Sequence, residues 1–164
     1  MTLAEAAAQA DALAEAGSER ELADLRRQWD EEIDAALRSA DYRERAVGYR
    51  AIGQFRFRQK VERLRLGLED ESPSVRGSAL VALERLSRDG PKAVNDVRPL
   101  LHRLASGDDN QAVRRLAVIC LRNGSAARDT LVLLEGIADD DRHERDLRDT
   151  AAKVAATLKK KSRS

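Results

Sequence analysis

The sequence predicts an all-α protein, an α-solenoid (an α-α superhelix) of about four helical hairpins preceded by one N-terminal helix. Three observations carry that prediction. The composition is rich in Ala, Leu, Arg, Asp and Glu, with 36% charged residues and 3% aromatics, a profile that favours helices over sheets. Apolar residues recur along most of the chain at the spacing of one helical face. One segment also recurs, without a gap, 38 positions further on. At 164 residues the chain is long enough to bury a continuous core.

Residues 1–17 read as a helix capping the stack, because Thr2 and Glu5 have the spacing of a capping box and Gly17 supplies the stop. The first hairpin, about residues 18–53, opens on the stripe Leu22, Leu25, Trp29, Ile33 and Ala36. The second, about 54–87, opens on Phe57, Val61, Leu64 and Leu68, whose spacing predicts three continuous helical turns. In the third, about 91–123, Gly90 breaks the chain and Pro91 suits a first helical turn, with Val94, Val97, Leu101 and Leu104 on the apolar face. In the fourth, about 125–158, Asn123 and Gly124 stop one helix and Ser125 stands ready to cap the next. Residues 159–164 are polar and basic, without apolar partner positions, and read as a frayed tail.

The repeat lies in the second helix of each hairpin. Asp70–Leu83 (DESPSVRGSALVAL) aligns with Asp108–Leu121 (DDNQAVRRLAVICL), setting Asp70 on Asp108, Val75 on Val113, Arg76 on Arg114, Ala79 on Ala117 and Ala82 on Cys120. A weaker copy at Tyr42–Tyr49, offset by 33, sets Arg43 and Ala46 on Arg76 and Ala79. Another at Leu147–Val154, offset by 34, sets Arg148 and Ala151 on Arg114 and Ala117. The recurring alanine has a physical role, since a small side chain lets the neighbouring helix approach closely.

The run Asp70, Pro73, Val75, Arg76, Ala79, Ala82, Leu83 resembles the second helix of a HEAT repeat, in particular the short bacterial HEAT-like repeat also found in phycobilisome lyases. The resemblance spans about residues 19–158, and Pro99 is similar to the kinking proline of the family's first helices. It implies a ladder of aspartates and arginines between adjacent repeats, which would make Arg43, Arg76, Arg114 and Arg148 structural. The end copies depart from the pattern, with Tyr42 in place of Val and Leu147 after the acidic loop Asp139–Asp141, and are expected to pack less regularly.

Catalytic chemistry finds little material. His102, His143 and Cys120 are too few and too far apart for a zinc site, so no metal, cofactor or catalytic residue is expected. Cys120 takes the position of Ala82 and reads as a core thiol, while His102, between Leu101 and Leu104, reads as a partly exposed surface histidine. Gly48–Gly53 has the outer glycine spacing of a phosphate loop, but Gln54 stands where that motif requires Lys. Trp29, within an apolar stripe, reads as core rather than as a stacking platform. A single cysteine excludes an internal disulfide, and no charged leader precedes an apolar run, so a cytoplasmic location is expected. No stretch approaches the roughly 20 apolar residues that span a bilayer, and no membrane partner is expected.

Charge says most about binding. The formal net charge is +1, yet residues 1–42 hold eleven acids and four bases while residues 43–65 hold eight bases and two acids. Within the basic block Arg56, Lys60 and Arg63 recur at i, i+4, i+7, with Arg58 and Arg65 beside them. Two readings stay open: a patch for phosphates or an acidic partner, or a solvated face neutralised by the acidic first hairpin. In a HEAT stack the second helices line the concave face, where Arg45, Ser78, Val81, Arg85, Ile119 and Lys153 point outward by register. Apolar Val81 and Ile119 at one repeated outward position leave two readings open: a docking groove for a helix or peptide, or tighter packing of neighbouring turns that hides both. The expectation is therefore a non-catalytic adaptor that binds another protein there. One alternative is nucleic-acid binding through the 43–65 block, in the manner of HEAT-like DNA glycosylases, although this chain has few aromatics to surround a flipped base. Another, from the subgroup resemblance alone, is a bilin lyase-like subunit.

Overall fold

The computed structural model describes residues 1–163, all of whose regular structure is helical, in neighbouring pairs as in an α-solenoid of hairpins. Ser164, the last residue of the expected tail, lies outside the described residues. The chain forms two compact units, Met1–Leu86 and Ser87–Ser164.

In the first unit, α1 (Leu3–Glu15) begins at a capping box: the Glu5 N–H donates to the Thr2 hydroxyl at 3.2 Å and the Thr2 N–H to Glu5 Oε2 at 3.0 Å. It ends at Gly17, whose φ of 74° permits a turn in which the Ser18 N–H reaches the Leu13 carbonyl. Its buried side chains are all alanines, Ala6, Ala7 and Ala10. The first hairpin joins α2 (Glu19–Leu37), buried through Leu22, Leu25 and Ile33, to α3 (Tyr42–Gln54), buried through Gly48, Tyr49, Ala51, Ile52 and Gly53. Trp29 is half-buried, so it belongs to the edge of the stripe rather than to the core.

The second hairpin pairs α4 (Leu64–Leu68) with α5 (Pro73–Leu86), and α5 packs on α3. That packing requires Gly53, because a Cβ there would lie 2.7 Å from the Ala82 Cα. The continuous helix expected over Phe57–Leu68 is instead a 3₁₀ segment, Arg58–Arg63, that becomes α-helical at Leu64. Two anchors constrain it: Phe57, just before the segment, is buried directly after a left-handed Arg56, and Lys60 within it is drawn inward to Asp30 and Asp34. Tight i→i+3 turns bring Lys60 round within this short reach.

The second unit contains α6 (Lys92–Asn95), α7 (Arg98–Gly107), α8 (Gln111–Leu121), α9 (Arg128–Asp139) and α10 (Arg145–Ser162). Helix α7 packs on α8, α9 on α10, and α10 on α8, around Leu101, Val113, Ala117, Val118, Cys120, Leu121, Leu134, Ala151 and Leu158. Three details depart from the sequence reading. Pro99 does not kink a long helix; the chain breaks after Asn95 and restarts at Arg98, so Pro99 falls in a first turn, where a missing N–H costs nothing. Ser125 does not cap α9, which starts three residues later; its N–H and hydroxyl are both bonded to the Asn95 amide, at 3.0 and 2.8 Å. The tail is not frayed up to Ser162, since buried Leu158 anchors the last turns, Lys159 pairs with Glu135 at 2.6 Å and Lys161 donates to the Arg122 carbonyl. Its lysines also complement the helix dipole.

Candidate functional site

Each of the first three second helices is approached through the same small device. A side-chain oxygen accepts the N–H two residues on, and an arginine six residues on donates back to the carbonyl of the first residue. In the second hairpin Asp70 accepts from the Ser72 N–H at 2.9 Å and Arg76 donates to the Asp70 carbonyl at 2.9 Å. In the third Asp108 accepts from the Asn110 N–H at 2.9 Å and Arg114 donates to the Asp108 carbonyl. In the first the residues are Ser39, which accepts from the Asp41 N–H at 3.1 Å, and Arg45, which donates to the Ser39 carbonyl at 3.0 Å.

The repeat arginine of the first hairpin is thus Arg45, and the register assigned to Arg43 is corrected. Arg43 is 76% exposed and pairs with Asp41 at 3.2 Å. The true offset from Arg76 is 31 residues, which sets Gly48, Ala51 and Ile52 on Ala79, Ala82 and Leu83, and all six are buried. Serine in place of the motif aspartate is what displaced the alignment.

Arg45 also forms a rung between hairpins, with Nε 2.9 Å from Asp70 Oδ2 and Nη2 3.1 Å from Oδ1. The two side chains are 14% and 13% exposed, so this outward candidate is committed within the fold. Burial alone would raise the Asp70 carboxyl, but hydrogen bonds from Arg45 and the Ser72 N–H, with the charges of Arg45 and Arg76, hold it below the ordinary carboxylate value. The fourth hairpin breaks the pattern. Its loop is fixed by Asp140, which receives the Arg142 guanidinium and N–H and titrates at about 2 as a result. Arg148, at the repeat-arginine position, keeps a buried Nε without a hydrogen-bond partner.

The basic block is engaged inside the first unit. Arg56, in the left-handed conformation at φ 52°, takes the place of glycine in the turn that closes α3. Its guanidinium lies 2.7 Å from Asp11 and 2.9 Å from Glu15 of α1. Lys60, 4% exposed, lies 2.8 Å from Asp34, contacts Asp30, and sits 4.6 Å from the Phe57 ring centroid. Arg63 pairs with Asp34, Arg65 with Glu69 at 3.6 Å, and Arg58 donates to the Leu86 carbonyl at 3.3 Å. The carboxylates that these cations meet come from the N-terminal 42 residues in all but one case, Glu69.

The outward candidates fall into three groups. Arg45 is tied to Asp70, and Arg85 to Glu15 at 2.9 Å with Asp11 at 3.4 Å. Ser78 and Ile119 are half-buried. Val81, 38% exposed, and Lys153 face solvent. The clamp of Asp11 and Glu15 on Arg56 and Arg85 was not anticipated. Its only sequence signal is the i, i+4 spacing of two acids on a helix otherwise made largely of alanine.

His102 is bonded through Nε2 to the buried Thr130 hydroxyl at 2.8 Å, and desolvation lowers its pKa. Cys120 is buried in the core, as the repeat position required. Among the described residues no group of His, Cys, Asp and Glu side chains is arranged to hold a metal ion, and no helix is long and apolar enough to cross a membrane.

Paired antiparallel helices, a small-residue seam and an arginine rung define a tandem helical-repeat protein. A family model for HEAT repeats matches residues 31–102, from α2 to α7, and the helices of that stretch are those of a HEAT-type α-solenoid. No curated protein and no solved structure matches the chain.

Proposed function

We propose that the chain is a non-catalytic adaptor that binds a partner protein through outward positions of its second helices, with Ser78 and Val81 of α5 as the candidate face of the first unit and Ile119 of α8 and Lys153 of α10 as candidates in the second. HEAT repeats generally serve as protein-interaction scaffolds, and the family match is the background to this reading. The observation that carries it is Val81, a branched apolar side chain left 38% exposed on a helix whose other apolar residues are buried. The cations that a nucleic acid would need at 56–65 already have intramolecular partners, which favours a protein partner over a phosphate backbone.

The test is a photo-cross-linking residue placed at position 81, with lysate from the native host, set against the same reagent placed at exposed Gln59. A discrete adduct at 81 that disappears when Ser78→Arg, one turn earlier on the same helix, is added supports the reading. Identical adducts from both positions, or an adduct indifferent to Ser78→Arg, overturn this choice of face.

A further inference from the structure

Two faces of this chain complement each other, although no described residue of the molecule covers either. The first is on α10. Counted from the repeat arginines, Ala152 corresponds to Tyr49, Leu80 and Val118, which are 2%, 0% and 0% exposed, whereas Ala152 itself is exposed. Ala156, also exposed, corresponds to buried Gly53 in the first hairpin and to Glu84 and Arg122, which are not buried, in the second and third. Tyr49 and Gly53 are the residues through which α3 meets the second hairpin, the former against Gly67 and the latter against Ala82. Among the described residues this face of α10 is therefore open to solvent, and Val132 of the paired helix α9 is 63% exposed. Lys153 and Lys160 lie on the same exposed side of α10, and among the described residues neither pairs with a carboxylate.

The second face is a groove of about 600 Å³ in the first unit, between the first turn of α1, the end of α2 and the start of α3. Its floor is apolar, made by Leu3, Ala4, Ala35, Ala36 and Val47. Its rim carries Glu32 and Glu44, together with Arg43, which is already held by Asp41. Glu32 has no ion-pair partner among the described residues, and Glu44 accepts only the Ser39 hydroxyl. The groove is thus apolar below and net acidic above.

We propose that the chain self-associates head to tail, with the exposed face of α10 of one copy seated in the α1–α3 groove of a second. Ala152 and Ala156 meet the alanine-lined floor, where small residues on both sides allow close helix approach. Lys153 and Lys160, seven residues or roughly 10 Å apart along the helix, reach Glu32 and Glu44 on the rim. The two surfaces differ, so the contact is heterologous, and a pair of copies still presents one unfilled groove and one unfilled α10 face. The ion pairs are exposed, which makes the association weaken with salt.

Sedimentation velocity of the purified full chain, from micromolar to millimolar at low and high salt, tests the proposal. Expected are concentration-dependent oligomers that weaken with salt. Glu32→Lys with Glu44→Lys, and separately Lys153→Glu with Lys160→Glu, each lower the association constant by about tenfold or more. An equimolar mixture of the two double variants, whose charges are again complementary, restores association. All four side chains are exposed, so folding is retained, and Ala156→Arg supplies an independent steric block. A monomer at every concentration, association unchanged in both double variants, or a mixture no more associated than its components overturns the proposal. Because the purified chain is its own ligand, these outcomes are independent of whether a foreign partner is found at Val81.

Discussion

Arg45 grips both carboxylate oxygens of Asp70 while also donating to the Ser39 and Ala40 carbonyls, so one side chain fixes the start of its own helix and the start of the next hairpin. The pair should behave as a unit. Arg45→Ala and Asp70→Asn are each expected to lower the melting temperature, and the double variant to be little worse than Arg45→Ala alone, a non-additivity that a double-mutant cycle reads directly. Asp70→Asn keeps the acceptor for the Ser72 N–H and so isolates the charge. The folded-state value of Asp70 lies below its ordinary 3.8, so the stabilising contribution is complete above that value and is lost as the pH falls through the lower folded one. Acid unfolding of the wild type, compared with Asp70→Asn, should show that difference.

The seam between α3 and α5 predicts a steric cost. Gly53→Ala places a methyl 2.7 Å from the Ala82 Cα, a backbone atom of a packed helix, and should destabilise the first unit by about 1–3 kcal/mol. Gly90→Ala, where an added Cβ meets nothing within 4 Å, is the control and should leave the urea midpoint near wild type.

The left-handed Arg56 predicts an inverted ranking of two small residues. Arg56→Gly and Arg56→Ala lose the same ion pairs to Asp11 and Glu15, but only alanine retains the strain of φ 52°. The glycine variant should be the more stable by about 1 kcal/mol, measured by chemical denaturation.

His102 predicts a pH dependence in the second unit. Burial lowers its folded-state value below the ordinary 6.5, so its contribution is present above 6.5 and fades as the pH falls through the folded value. An NMR titration of His102 should give a midpoint below 6.5, and His102→Gln should flatten the acid limb of the stability profile.

The helices were legible because their apolar spacing is set by burial, and the match between Asp70–Leu83 and Asp108–Leu121 exposed two hairpins directly. The first hairpin was mis-registered because its device uses a serine oxygen where the others use a carboxylate. The two are equivalent as acceptors of one N–H but unlike as letters. The 3₁₀ segment at 58–63 was illegible for a different reason, since Lys60 reads as a surface cation until Asp30 and Asp34 are seen to converge on it from α2. The fate of the basic block had the same origin. Nothing local to 56–65 reveals that most of its partners lie 26 to 45 residues earlier in the chain.

The contact of Gly53 with Ala82 has an evolutionary consequence. Glycine has no smaller residue to become, and Ala82 can shrink only to glycine, so neither position can accept a larger side chain while the helices keep their present separation. Drift at this joint is confined to substitutions that move a whole hairpin away from its neighbour. Residue identity and helix spacing at the joint are therefore expected to change together or not at all.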